Sequence, residues 1–129
     1  MIPLFRPCYD NQEAEAVAEV LKSGWVGLGP KTAQFEKEFA NYLGSPYCVA
    51  LNSGTSALHL SLASQELKEG DEVIVSPLTF VSTVHVVRYV GGTPIFADVE
   101  PDTLNIDPKE ISDKINDRTK VILPVHYGG

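Results

Sequence analysis

Up to Gly44 the apolar positions recur at intervals of three and four; after it they come in short unbroken runs separated by small-residue turns. Val17, Val20 and Leu21 lie on a polar background between Asn11 and Lys22, which predicts an amphipathic first helix. Asp10 and Glu13 stand ahead of it at capping-box spacing, and Gly24 follows as a stop. Ser23 to Lys31 (SGWVGLGPK) holds three glycines and a proline and reads as a loop. Pro30 suits the first turn of a second helix. Phe35, Phe39, Tyr42 and Leu43 recur along that helix at helical spacing and are expected to bury one face, with Gly44 as its end.

The runs that follow are short enough for strands. Tyr47-Cys48-Val49-Ala50-Leu51 predicts a buried strand, Asn52 to Ser56 a turn, and Ala57 to Gln65 a helix. Glu72 to Ser76, Thr93 to Val99 and Lys120 to Val125 read as three further strands. Asp107 and Pro108 have the N-cap and first-turn identities of a helix that runs to Lys114. Thr79 to Val90 (TFVSTVHVVRYV) is rich in β-branched residues, and propensity alone favours a strand there. Parallel strands, however, need a crossover of about a dozen residues, usually a helix, and that decides for helix. The alternation predicts an α/β layer with a mostly parallel sheet in one domain. Because the pattern halts at Gly128-Gly129 straight after a strand, the sheet is expected to be unfinished and the chain truncated.

Composition narrows the partners. Ten Lys and Arg against 17 Asp and Glu give a net charge of −7, and Arg6, Arg88 and Arg118 are scattered. That argues against nucleic acid and against an anionic membrane surface. A hydrophobic content of 43% excludes disorder as the main state. No run approaches the length of a membrane span, and Met1 to Pro7 lacks the shape of a secretory signal. Cys8 and Cys48, without CxxC or Cys/His ligand spacing, are expected to be reduced thiols of a cytoplasmic protein.

The candidate chemistry gathers where strands end. Ser53-Gly54-Thr55-Ser56 opens a helix after a predicted strand; its N–H groups, dipole and hydroxyls suit a phosphate, though an ordinary cap explains them as well. It is neither a P-loop nor GxGxxG, and Gly24 to Gly29 follows no strand. Pro77-Leu78-Thr79-Phe80 belongs on the same rim, where Phe80 would stack on a flat heterocycle or serve as core. His126 follows the last strand as a polar site residue or a structural one. His59 reads as packed; His85 and Arg88 share a helical spacing that fits a pocket lining or a solvated edge. The sequence shows no Ser/His/Asp or Cys/His constellation and no metal-ligand cluster.

Taken in order, these stretches resemble one family. Ser23-Gly24-Trp25-Val26-Gly27-Leu28-Gly29-Pro30, Asn52-Ser53-Gly54-Thr55-Ser56-Ala57-Leu58-His59-Leu60, Gly70 to Val75, Thr79 to Thr83, Asp98 to Asp107 and Pro124 to Gly128 are similar to the N-terminal part of the DegT-type (DegT/DnrJ/StrS) sugar aminotransferases. The resemblance implies an incomplete three-layer, aspartate-aminotransferase-like large domain (fold type I) spanning residues 1–129, preceded by a helical segment over about 1–44, with the C-terminal remainder absent. It implies pyridoxal 5'-phosphate as cofactor, with Gly54, Thr55 and Ser56 at its phosphate and Phe80 on its ring. Trp25, Gly29 and His126 would lie near the substrate. The implied reaction moves an amino group from an amino acid, glutamate in the first instance, to a nucleotide-linked keto sugar for polysaccharide, lipopolysaccharide or amino-sugar biosynthesis, in a cytoplasmic homodimer. The family's Schiff-base lysine and its acidic partner of the pyridine nitrogen match no residue here, so the chain by itself is expected to be inactive. Three alternatives stay open: a sugar dehydratase of the same family, a non-catalytic fragment that binds a phosphate or a partner, and an unrelated Rossmann-type nucleotide binder.

Overall fold

Helix caps written into the sequence set most of the element boundaries. A computed structural model describes residues 6–128 in two compact units that divide between Ala50 and Leu51. Met1 to Phe5, most of the stretch without a secretory-signal pattern, and Gly129 lie outside the described residues.

The first unit is a pair of helices, α1 (Asn11–Ser23) and α2 (Pro30–Leu43). The Asp10 carboxylate accepts the Gln12 N–H at 2.7 Å, and Glu13 reaches back to accept the Asp10 N–H at 2.8 Å, closing the capping box. Gly24 (φ 74°) and Gly44 (φ 65°) end the two helices in the left-handed conformation that favours glycine. Pro30 starts α2, where its missing N–H costs no hydrogen bond.

Two expectations fail in this unit. Tyr47 to Leu51 is not a strand: its backbone joins no ladder, and the Ala50 N–H goes instead to Glu36 Oε1 on α2 at 2.8 Å. An apolar run becomes a strand only beside a partner, and here a side chain takes the donor. The apolar face of α2 is also not buried. Phe35 and Phe39 stack on each other at 5.6 Å but stay 52% and 43% exposed, and Tyr42 is 84% exposed. Ala40 is the buried residue of that helix.

The second unit runs α3 (Gly54–Ala63), β1 (Glu72–Val75), α4 (Ser82–Tyr89), β2 (Thr93–Phe96), α5 (Pro108–Lys114) and β3 (Thr119–Leu123). Among the described residues the sheet has three parallel strands rather than four, in the order β2-β1-β3. Thr79 to Val90 is helical from Ser82, so the crossover requirement overrides β-propensity. The strand expected over Thr93 to Val99 stops at Phe96, and Val99 instead makes an isolated antiparallel bridge to Ile106.

Because β1 is central, all four of its residues are buried, and their alternation divides the core in two. Val73 and Val75 pack with Leu62 of α3 and Val86 and Val87 of α4. Ile74, on the opposite face, packs with Ala97 and Ile106. Glu72 is buried at the amino end of β1, with its carboxylate held by Arg118 Nε (2.7 Å), Arg118 Nη2 (2.6 Å) and Asn116 Nδ2 (2.7 Å). The carboxyl ends of all three parallel strands therefore point to one rim, opposite Glu72.

Candidate functional site

At that rim the second unit has a cleft of about 510 Å³, within the usual range for small-molecule sites. Gly54 and Thr55 at the start of α3, Thr79 and Phe80 after β1, Thr83 of α4 and the Leu123–Val125 end of β3 line it. Parallel topology brings the ends of β1 and β3, some 45 positions apart, to one rim, and the start of α3 joins them in the same concavity.

The first turn of α3 sets its chemistry. The opening N–H groups of a helix have no partner within it. Here the Ala57 N–H reaches Ser53 O at 3.2 Å, and Ser53 Oγ caps the Ser56 N–H at 3.1 Å. Among the described residues, the N–H groups of Gly54 and Thr55 meet no protein acceptor, and neither does the Thr55 hydroxyl. A Cβ added to Gly54 would meet no atom within 4 Å, so neither packing nor φ demands glycine there. The Ser56 hydroxyl is not free: it donates to Asn52 Oδ1 at 2.7 Å.

Phe80 sits across the cleft with its side chain 75% exposed, not in the core. The turn carrying it is braced by the Leu78 N–H to Ser76 Oγ (3.2 Å) and by the 2.8 Å bond between Thr79 Oγ1 and Thr83 Oγ1, with Thr83 buried. The residues lining the cleft are all neutral. An anion bound here would be held by oriented N–H groups, a hydroxyl and the positive end of the α3 dipole, without a lysine or arginine.

The other sequence candidates are placed differently. Trp25 and Gly29 come together in the first unit, where Trp25 Nε1–H donates to Leu28 O at 2.7 Å. There the indole lies so close to Gly29 that a Cβ on that residue would be 2.2 Å from Trp25 Cδ1. These two residues line a cavity of about 520 Å³ with Val20 and Pro30. His126 is exposed beyond β3 and does not line the rim cleft; the next residue, Tyr127, donates its N–H to Asn105 Oδ1 at 3.0 Å. His59 is half-buried edge-on to Tyr89 (5.7 Å), as a packed histidine should be, and His85 lies 6.2 Å from the same ring. Cys8 and Cys48 are unbridged.

The perturbed carboxylates stand away from the cleft. Hydrogen bonds from Asn116 and Arg118 hold Glu72 below the usual glutamate range, and Lys114 does the same to Glu110 on α5. Among the described residues no cluster of three His, Cys, Asp or Glu is placed to hold a metal ion, and no helix is long and apolar enough to cross a membrane. Sequence reasoning placed Thr79 on the rim but missed its pairing with Thr83 and the hold of Asn52 on Ser56. The pairs at Ser56–Asn52 and Thr79–Thr83 have a four-residue spacing that would have exposed them.

A model of the DegT/DnrJ/EryC1/StrS aminotransferase family matches residues 7–129. The chain belongs to this family. It is 48% identical over 128 residues to the spore coat polysaccharide biosynthesis protein SpsC of Bacillus subtilis, covering 99% of this chain and 33% of that protein. Among solved structures it is similar to the PMP-form of a putative sugar aminotransferase, Spr1654, from Streptococcus pneumoniae, with a TM-score of 0.88 and 39% identity over 98% of this chain and 32% of that one. It is also similar to an E. coli GDP-4-keto-6-deoxy-D-mannose-3-dehydratase with bound hydrated PLP, with a TM-score of 0.87 and 34% identity over 95% of this chain and 33% of the other. The DegT-family chain spans about a third of the length of the relatives it matches. Its α/β architecture with a parallel sheet is that of part of a fold type I pyridoxal-phosphate domain.

Proposed function

We propose that this segment is the cofactor-phosphate part of a pyridoxal-phosphate-dependent sugar aminotransferase. One observation carries the reading: the free N–H groups of Gly54 and Thr55 share a cleft with an exposed aromatic ring, Phe80. The residues fit the cofactor, because a phosphate matches the donors and dipole at α3 and a flat pyridine matches the ring. When bound, pyridoxal phosphate would supply both the carrier for an amino group moving from an amino acid to a keto sugar and the electron sink that stabilises the carbanion formed on the way.

The residues of this chain bind and orient. Gly54 and Thr55 donate N–H groups to the phosphate, the Thr55 hydroxyl adds a third donor, and the first turn of α3 lends its dipole. Ser56, the other residue that the family resemblance sets at the phosphate, belongs to the same turn. Phe80 covers one face of the ring and keeps water from it. Trp25, Gly29 and His126 are the candidate sugar-nucleotide contacts in this reading. The substrates are a nucleotide-linked keto sugar and an amino acid, with glutamate as the donor, in a cytoplasmic homodimer that serves polysaccharide or amino-sugar biosynthesis. The likeness to the E. coli dehydratase supports a second reading, in which the same cleft serves a sugar dehydratase.

The test is cofactor affinity in the intact protein. Loss of a hydrogen bond to a charged group is worth roughly 1.5–3 kcal/mol, so Thr55→Ala should weaken pyridoxal 5'-phosphate binding by about 10- to 100-fold. His59→Ala, which alters only the packing against Tyr89, should leave it within about twofold. Equal effects of the two substitutions would refute the assignment.

A further inference from the structure

The turn that opens α3 carries a network in which both serine hydroxyl protons can be assigned. Ser56 Oγ donates to Asn52 Oδ1 at 2.7 Å, an acceptor with no proton of its own, and that uses the one hydroxyl proton of Ser56. The 3.0 Å contact between Ser53 Oγ and Ser56 Oγ must then be donated by Ser53. Ser53 Oγ in turn accepts the Ser56 N–H at 3.1 Å. Both serine hydroxyl protons, and the Ser56 amide, are directed within the turn. Between Ser53 and Ser56 this leaves two amides and one hydroxyl, those of Gly54 and Thr55, for a ligand.

We propose that Asn52 and Ser56 are positioning residues, and that Ser56 does not itself donate to the bound phosphate. Together they latch the turn. With its proton drawn to Ser56, the Ser53 hydroxyl is fixed as the acceptor of the cap. If that proton were free, Ser53 could rotate, donate elsewhere and release the Ser56 N–H, and the first turn of α3 would loosen. Held by Asn52, the turn presents the Gly54 and Thr55 donors in one geometry before the anion arrives, so less ordering is left for binding to do. The inference rests on the reading of this cleft as a phosphate site.

The experiment titrates the cofactor-free intact protein with pyridoxal 5'-phosphate and with pyridoxal, which lacks the phosphate. Variants Asn52→Ala, Ser56→Ala, the double variant, Ser56→Thr and Thr55→Ala are compared, with far-ultraviolet circular dichroism as the check on folding. Asn52→Ala and Ser56→Ala should each weaken pyridoxal 5'-phosphate binding by about three- to tenfold, the worth of one ordinary hydrogen bond, and leave pyridoxal within about twofold. The double variant should be no weaker than either single one, because both remove the same latch, and Ser56→Thr, which keeps the hydroxyl, should restore affinity. A loss at Ser56→Ala as large as at Thr55→Ala, with Asn52→Ala silent, would make Ser56 a direct ligand and overturn the proposal. Additive losses, or none at either position, would overturn it as well. Unchanged affinity in Thr55→Ala would instead remove the phosphate reading itself, which separates that failure from a failure of the latch alone.

Discussion

Ile74 and Ile122 stand opposite each other in register on neighbouring strands, yet their surroundings differ sharply. Ile74 on the central strand is 0% exposed, packed with Ala97 and Ile106 and flanked by Ile95 and Ile111. Ile122 on β3 is 42% exposed. Truncation of either to alanine removes three carbons. At about 0.8 kcal/mol per buried methylene the transfer loss at Ile74 is about 2.4 kcal/mol. The closed cavity left behind raises it to roughly 3–4 kcal/mol. At Ile122 the same loss, scaled by the buried fraction, is about 1.4 kcal/mol, and a cavity open to water adds little. Ile74→Val should fall near 1 kcal/mol. Urea denaturation of the intact protein measures all three, provided the slopes of the transitions match so that midpoints compare directly. Equal costs for the two alanine variants, or the reverse order, would refute the argument that the face of β1 bearing Ile74 is a closed core.

Other outcomes follow from single contacts. Asn116 and Arg118 depress the Glu72 pKa, so its stabilisation is present above the unfolded value near 4.3 and lost as pH falls through the lower folded one. Glu72→Gln should therefore flatten the acid limb of the stability profile; profiles that stay parallel as pH falls would count against the ion pair. Gly29→Ala should push the Trp25 indole off its 2.7 Å bond to Leu28 O, because the added methyl would lie 2.2 Å from the ring. Trp25 is the single tryptophan of these 129 residues, so a changed emission maximum and greater iodide quenching of this segment report the shift, and an unchanged spectrum would contradict the geometry.

Where neighbours in the chain decide structure, the sequence was readable. Asp10 with Glu13, Pro30, Gly44, and Asp107 with Pro108 placed helix ends to within a residue or so, since capping acts over three or four positions. The rim location of Phe80 was legible too, because it follows β1 and parallel topology sends successive carboxyl ends to one side, whereas Gly54 reaches the cleft without the strand expected ahead of it. Tyr47 to Leu51 misled because hydrophobicity alone cannot show whether a strand has a neighbour to pair with. Phe35, Phe39 and Tyr42 misled in the same way: periodicity marks a face that seeks cover, not what covers it. The grip of Asn116 and Arg118 on Glu72 spans more than forty residues, and no local pattern encodes it.

The central place of β1 also bears on the order of synthesis. Val73, Ile74 and Val75 leave the ribosome as an apolar β-prone run, yet their partners lie about 20 residues later in β2 and about 48 later in β3. At roughly 5–20 residues per second, the second edge of β1 waits several seconds for its partner. During that interval a strand that the folded unit buries along its whole length has an unpaired edge open to other chains. Translation speed between codons 75 and 123 should therefore weigh on soluble yield more than the same change elsewhere in the chain.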